Sequence, residues 1–260
     1  VSAVAEPLLQ VLNVSKSFGG VKALDNVSLR VERGSLTLLI GPNGSGKTTL
    51  LNIVSGVLSP DAGKVLFKGI DITHLKPHER FRLGIARSFQ TPRLFSSLSV
   101  AENLLVPLRN YAEERPLSIL LSNSWVASEA LAARDARRLL QLVKLEDCWS
   151  KRSSELSGGQ SKLLEYARTV IGGPELVLLD EPLAGVNYAV AQEIMRRLAD
   201  LRKAGLGLLV VEHRLDLAME YADYVYVLHQ GRVISEGPPS KIVDDPRVAE
   251  AYLGGSECSL

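Results

Sequence analysis

The 260-residue sequence predicts an α/β fold: a mostly parallel sheet covered on both faces, with an inserted helical subdomain. Three observations carry this. Short apolar runs at 36–40, 176–179, 208–211 and 224–228 alternate with stretches whose apolar residues recur at helical spacing. That alternation is the pattern of a parallel sheet built from crossover units. A glycine-rich loop joins the first of these runs to a helix. From 91 to 155 strand signals vanish and only helical ones remain. The expected division is therefore a core of 1–90 and 156–260, with a helical subdomain of 91–155.

Taken in order, residues 8–14 and 27–31 read as short strands, punctuated by Gly19-Gly20 and Arg33-Gly34. After the buried strand at 36–40 and its glycine loop, Leu50, Leu51, Ile53, Val54 and Val57 mark a helix ending at Gly56. Residues 60–63 read as a turn, 65–67 as a strand closed by Lys68-Gly69, 77–83 as a helix and 85–89 as a strand. In the helical region, 100–106 is a short helix. Val126, Ala130, Ala133, Leu140 and Val143 form a stripe, with Arg134, Arg137 and Arg138 on a solvated face. Residues 111–123 fit no pattern clearly. Beyond Ser157, Leu163, Ala167 and Val170 mark a helix that stops at Gly172-Gly173-Pro174. Ala191, Ile194, Leu198 and Leu201 mark another ending at Gly205, and 215–221 a third.

Composition excludes several classes. The formal net charge is +1 and there is no long basic run, so no nucleic-acid surface is expected. No apolar stretch approaches the ~18 residues that span a bilayer. Residues 1–10 lack a basic region and contain Glu6-Pro7, so they do not read as a signal peptide. Two cysteines, Cys148 and Cys258, make no disulfide framework and fit a reducing cytosol. His74 and His78 are four apart, but Pro77 and the lack of a third ligand argue against a metal site.

The loop is Gly41-Pro42-Asn43-Gly44-Ser45-Gly46-Lys47-Thr48-Thr49. Between a strand and a helix, this spacing cradles phosphate. Its glycines let consecutive backbone N–H groups face one anion, and the helix start adds unpaired N–H groups and partial positive charge. Lys47 can reach the β- and γ-phosphates, and the Thr48 hydroxyl can ligate Mg²⁺. The expected ligands are ATP and Mg²⁺.

Residues 176–179 end in Asp180 and Glu181. A buried strand explains the apolar run but not two acids at its tip, because unpaired buried charge is costly. A metal ion offsets that cost. Asp180 is the natural Mg²⁺ partner, and Glu181, one residue further out, can orient or deprotonate an attacking water. A strand followed by a polar turn is the simpler alternative. A second glycine pair, in Leu156-Ser157-Gly158-Gly159-Gln160, precedes a helix read from Ser161. Ser157 could simply cap that helix. The pair could equally form a second phosphate-facing nest, serving a nucleotide held by another copy of the chain.

With these motifs in this order, the sequence resembles the ATP-binding subunits of ABC transporters over essentially its whole length. The resemblance implies a P-loop NTPase (RecA-like) core with an antiparallel β subdomain. It makes Leu156-Ser157-Gly158-Gly159-Gln160 the family signature. It makes Gln90 the Q-loop glutamine, sensing Mg²⁺ and water, and His213 the switch histidine on the γ-phosphate. It places Phe18 on the adenine ring, where the family more often has Tyr, and 184–187 at the D-loop that touches the partner subunit. Taken alone, Gln90 reads equally as a surface residue, Phe18 as core and His213 as a helix-entry residue. Tyr188 departs from the proline the family usually has there.

Residues 84–95 and 101–105, Glu212-His213-Arg214-Leu215-Asp216 and residues 248–254 resemble the branched-chain amino-acid importer ATPases. Related ATPases for urea, amide or lipopolysaccharide transport share much of this. The implied protein is a Mg²⁺-ATPase on the inner face of the cell membrane. It would dimerise, with a second copy of itself or a paralogous subunit, around two ATP molecules. Its partners would be separate membrane permease subunits and, indirectly, a substrate-binding protein. A soluble ABC ATPase of ribosomes or DNA is the rival reading, disfavoured by the single cassette and the absence of heptads. A P-loop kinase or GTPase is disfavoured by the signature at 156–160, and a non-enzymatic regulator by Glu181 and His213.

Overall fold

The structure is a computed structural model that describes residues 6–88, 93–108 and 122–253. The chain divides into two compact units, residues 1–90 with 174–260, and residues 91–173.

The first unit holds two sheets. β1 (Leu9–Phe18) pairs antiparallel with β2 (Val21–Val31) and with β4 (Ala62–Phe67), and β5 (Ile70–Asp71) closes the edge. The larger sheet runs β10-β9-β3-β8-β7-β6, formed by β3 (Leu36–Ile40), β6 (Ile85–Arg87), β7 (Leu176–Asp180), β8 (Gly207–Val211), β9 (Tyr224–His229) and β10 (Arg232–Gly237). All its pairs are parallel except the edge pair of β9 with β10. β3, β7 and β8 are buried along their whole length, which is why they read as unbroken apolar runs rather than alternating ones.

Parallel pairing brings the carboxyl ends of β3, β8 and β7 to one edge. The register aligns Leu39 and Asp180 with Val211 between them. α1 (Lys47–Val54) leaves that edge and buries Leu50, Leu51, Ile53 and Val54 in a core cluster that also holds Leu39, Leu178, Leu209 and the buried apolar residues of β1, β2 and β4. Its far end is closed by Arg80 of α2 (Pro77–Leu83), which is 1% exposed and donates to the carbonyls of Ile53, Val54, Thr73 and Leu75. Burial pulls its guanidinium down to about 10, and cationic donors here satisfy carbonyls that the last turn leaves open. α6 (Tyr188–Lys203), α7 (Leu215–Tyr221), α8 (Pro239–Val243) and α9 (Pro246–Leu253) complete the unit.

The second unit is helical among its described residues: α3 (Val100–Leu105), α4 (Ser122–Leu142) and α5 (Gly158–Val170), with short 3-10 turns at Val106–Leu108, Glu146–Cys148 and Ser153–Glu155. α5 packs against α3 and α4. Its apolar face, Leu163, Leu164, Tyr166 and Ala167, is buried there. The helix therefore groups with 91–173, and the unit ends at Gly173 rather than at 155.

Other departures from the sequence reading are local. α5 starts at Gly158, not Ser161, because a capping box closes its first turn. Val57 is 64% exposed, beyond the end of α1 and outside its apolar stripe. β1 and β2 extend to Phe18 and Val21, since sheet pairing overrides the polar residues at their ends. β4 starts inside the expected turn, at Ala62. β10, α8 and α9 went unread: a register shift breaks the alternation of β10, and five and eight residues are too few for α8 and α9 to show a period. Phe89 and residues 111–121 lie outside the described residues.

Candidate functional site

The glycine loop spans the gap between β3 and α1, and its backbone needs glycine at two points. Gly41 has φ +149°, and a Cβ there would sit 1.9 Å from the Leu228 carbonyl oxygen. Gly46 has φ +107°, and its Cβ would meet the Ala23 carbonyl oxygen at 2.5 Å. No side chain caps α1 at Gly46, so the helix opens with N–H groups free for an anion. The Lys47 Nζ lies inside the loop, donating to the carbonyls of Gly41 and Pro42 at 2.8 Å each. Burial pushes its ammonium below the usual lysine value, while the nearby carboxylates of Glu181 and Asp180 oppose that shift. Asn43, Gly44 and Thr48 are exposed, Ser45 is buried, and Pro42 and Thr49 are half-buried.

Asp180 closes β7 and is 8% exposed. Its Oδ2 accepts from Arg87 at 3.2 Å, and the same guanidinium donates to Asn52 Oδ1 at 2.6 Å and Ser55 Oγ at 3.0 Å. Arg87 thus ties the tip of β7 to the far end of α1. Glu181 turns out of the strand at φ +50°, a left-handed conformation that costs a non-glycine residue roughly 1–3 kcal/mol. Its N–H donates to the Val211 carbonyl at 2.9 Å, and its carbonyl accepts from Ala184 at 3.1 Å. The turn directs the carboxylate across to His213, whose Nε2 lies 3.1 Å from Glu181 Oε1. His213 follows β8, the strand between β7 and β3.

The structure thus gathers the glycine loop, Lys47, Asp180, Glu181 and His213 on one edge of one sheet, the usual ligand position for open α/β sheets. Phe18 ends β1 and is 48% exposed, so it is not core, and the Lys16 ammonium lies 5.7 Å from its ring centre. Ser157, Gly158, Gly159 and Gln160 sit in the other unit, at the start of α5. Ser157 Oγ accepts from the Gln160 N–H at 3.3 Å, and Gln160 Oε1 accepts from the Ser157 N–H at 3.0 Å. The capping role read as an alternative for Ser157 is present. Gly158 is exposed, and a Cβ built on it meets nothing within 4 Å. Gln90 lies outside the described residues.

For a divalent cation, the donors at the sheet edge are the exposed Thr48 hydroxyl on the first turn of α1 and the Asp180 carboxylate. Both are hard oxygen donors. Among the described residues no cluster of three or more His, Cys, Asp or Glu could hold a metal alone. Hard oxygen donors are the type that Mg²⁺ takes, alongside phosphate and water.

Three residues of this neighbourhood were not assigned roles from sequence. Arg87 and Glu212 each lie in a strand or at its end, where charge inside an apolar run was the available signal. Tyr252 lies on α9; its phenol meets the Gly41 backbone and is raised by burial. No spacing rule connects it to a loop two hundred residues earlier. Tyr188, where proline was expected, is the first residue of α6 after the cap Asn187. Proline is favoured at that position because its missing N–H costs nothing there, and tyrosine serves equally.

The chain belongs to the ABC transporter family, as one of its ATP-binding cassettes, an ATPase: the family's model matches residues 24–184. A second model, for branched-chain amino acid ATP-binding cassette transporters, matches residues 232–257, which include β10, α8 and α9. A protein of Archaeoglobus fulgidus described as the probable branched-chain amino acid transport ATP-binding protein LivG is 45% identical, over 97% of this chain and 98% of its own. The crystal structure of the ADP conformation of an ATP-binding cassette of an ABC transporter matches with a TM-score of 0.84 and 39% identity, over 96% of this chain and 100% of that one. A dimeric cassette in a post-hydrolysis state, bound to ADP and Pi, matches with a TM-score of 0.72 and 26% identity, over 89% and 98% of the two chains. Among the described residues no helix is long and apolar enough to cross a membrane.

Proposed function

We propose that this cassette hydrolyses ATP to power a branched-chain amino-acid importer. The observation that carries the reading is the convergence of Lys47, Asp180, Glu181 and His213 on the tips of β3, β7 and β8. The loop 41–49 holds the phosphates, with Lys47 exchanging its loop carbonyls for β- and γ-phosphate oxygens. Phe18 stacks on the adenine. Thr48 and Asp180 would hold Mg²⁺, with Gln90 beside them as the family resemblance implies, and the ion would neutralise charge building on the phosphate oxygens. Glu181 accepts a proton from the attacking water, and His213 faces the γ-phosphate while fixing the Glu181 carboxylate.

The site is completed in trans. Ser157, Gly158, Gly159 and Gln160 of a second cassette, the same chain or a paralogue, contact the γ-phosphate. The open space around Gly158 supports this, since nothing in its own surroundings requires a glycine. Closure around two ATP molecules and reopening after hydrolysis then move separate membrane permease subunits. The helical subdomain and the Q-loop region around Gln90 form the expected docking surface, the chain lies on the inner face of the membrane, and a substrate-binding protein delivers the amino acid. The names of the relatives and the match over 232–257 support the substrate class. The test is affinity purification from native membranes with the permeases retained. Leucine-, isoleucine- or valine-dependent ATP hydrolysis by that complex is expected. Stimulation only by an unrelated substrate, or a complex with ribosomes, would overturn the reading.

A further inference from the structure

Glu212 is 2% exposed and lies at the end of β8, between the catalytic strand tip and the histidine loop. Buried carboxylates persist only where donors satisfy them. Here the donors come from two different loops. Oε1 accepts the Leu183 N–H at 2.6 Å, two residues beyond Glu181. Oε2 accepts the His213 N–H at 2.9 Å and the Arg214 N–H at 3.2 Å. One side chain therefore clamps the backbone that carries Glu181 to the backbone that carries His213. A second strap runs parallel to it, from the Glu181 N–H to the Val211 carbonyl at 2.9 Å. Arg214 extends the connection, donating to the Val186 carbonyl at 3.2 Å and lying 5.5 Å from the Tyr188 ring.

We propose that Glu212 is a positioning residue for hydrolysis: its carboxylate locks the loop after β7 to the loop after β8 and so sets the Glu181–His213 contact. This rests on the reading of Glu181 as the base. Glu181 sits in a left-handed conformation that its neighbours must impose, and the Glu212–Leu183 bond anchors the backbone two residues beyond it. Both carboxylate oxygens of Glu212 are engaged by backbone N–H groups of these two loops. Releasing it leaves the glycine loop and the adenine face untouched but lets the carboxylate and imidazole drift. A displacement of about 1 Å at a reacting group can cost roughly a hundredfold in rate.

The experiment is steady-state ATP hydrolysis by the purified full chain, with nucleotide affinity measured separately by equilibrium binding of a fluorescent ATP analogue. Glu212→Gln keeps the side chain's size but replaces one acceptor oxygen by an NH₂ that faces backbone N–H groups. It should lower kcat about tenfold to a hundredfold while leaving the ATP dissociation constant within about twofold. Glu212→Asp restores both acceptor oxygens on a shorter arm and should recover part of the kcat. In Glu181→Gln/Glu212→Gln the second change should cost nothing further, because Glu212 acts through Glu181. A Glu212→Gln variant with lowered Tm but wild-type kcat per folded molecule would overturn the proposal, as would additive losses in the double variant. Glu181→Gln alone is the separate check on the base: wild-type turnover there would remove the proposed mechanism whatever Glu212 does.

Discussion

Two helices of this chain begin at glycine-rich motifs, and they are built differently. At α1 the glycines are forced: Gly41 and Gly46 have positive φ, and a Cβ on either would strike a backbone carbonyl. The helix has no side-chain cap, and a buried lysine fills the loop. At α5 the helix caps itself through Ser157 and Gln160, and the space beside Gly158 is open. The first motif is explained by its own chain. The glycine of the second is not, and the account assigns it to contact with another molecule, the nucleotide on a partner cassette.

The largest expected effect falls on the first motif. Lys47→Ala should reduce ATP hydrolysis by at least ~10²-fold, as losing a preorganised charge at a phosphoryl group does, and should weaken ATP binding. Circular dichroism should show the fold intact. Turnover near wild type would break the comparison at its stronger side. Gly158→Glu probes the other side. An acidic residue in the first turn of a helix is electrostatically favourable, and its Cβ would meet nothing within 4 Å, so Tm should stay close to wild type. ATP binding to the monomer should persist while hydrolysis and ATP-driven dimerisation are lost. Weakened monomer binding instead would mean that the second motif acts in cis.

Smaller effects sharpen the picture. Phe18→Ala removes an exposed ring that nothing in the core needs. It should weaken ATP binding by about 1–3 kcal/mol, the range for aromatic stacking on a base, with little change in Tm. Isothermal calorimetry would detect it, and unchanged affinity would remove Phe18 from the adenine site. Tyr188→Pro places proline at the first position of α6, where no N–H is needed. Its effect on stability should stay within about 0.5 kcal/mol. A larger loss would show that the Arg214 contact on the Tyr188 ring carries weight.

Much of this architecture was legible because buried parallel strands write unbroken apolar runs. β3, β7 and β8 were placed to within a residue for that reason. The two acids at the tip of β7 were legible as a candidate site because charge in such a place demands a partner. β10 was missed because a register shift breaks its alternation, and α8 and α9 because five and eight residues are too few for a period to stand out. The start of α5 was misplaced because glycines read as loop, whereas a reciprocal cap lets the first turn include them. Glu212, Arg87 and Tyr252 were visible as residues but not as partners. Their roles depend on loops that meet only after the sheet has formed.

The central claim is that Glu181 performs the chemistry inside a site completed by a second cassette. Gel filtration of Glu181→Gln tests it directly, run with ATP and Mg²⁺ beside the same variant with ADP and the wild type with ATP. The amide keeps the side chain's size but is a far weaker base, and a positioned base is worth roughly 10²–10⁴ in rate. A stable dimer is expected only for the variant with ATP, each copy retaining uncleaved nucleotide. A variant that binds ATP yet stays monomeric, or one that hydrolyses it at the wild-type rate, would contradict the account.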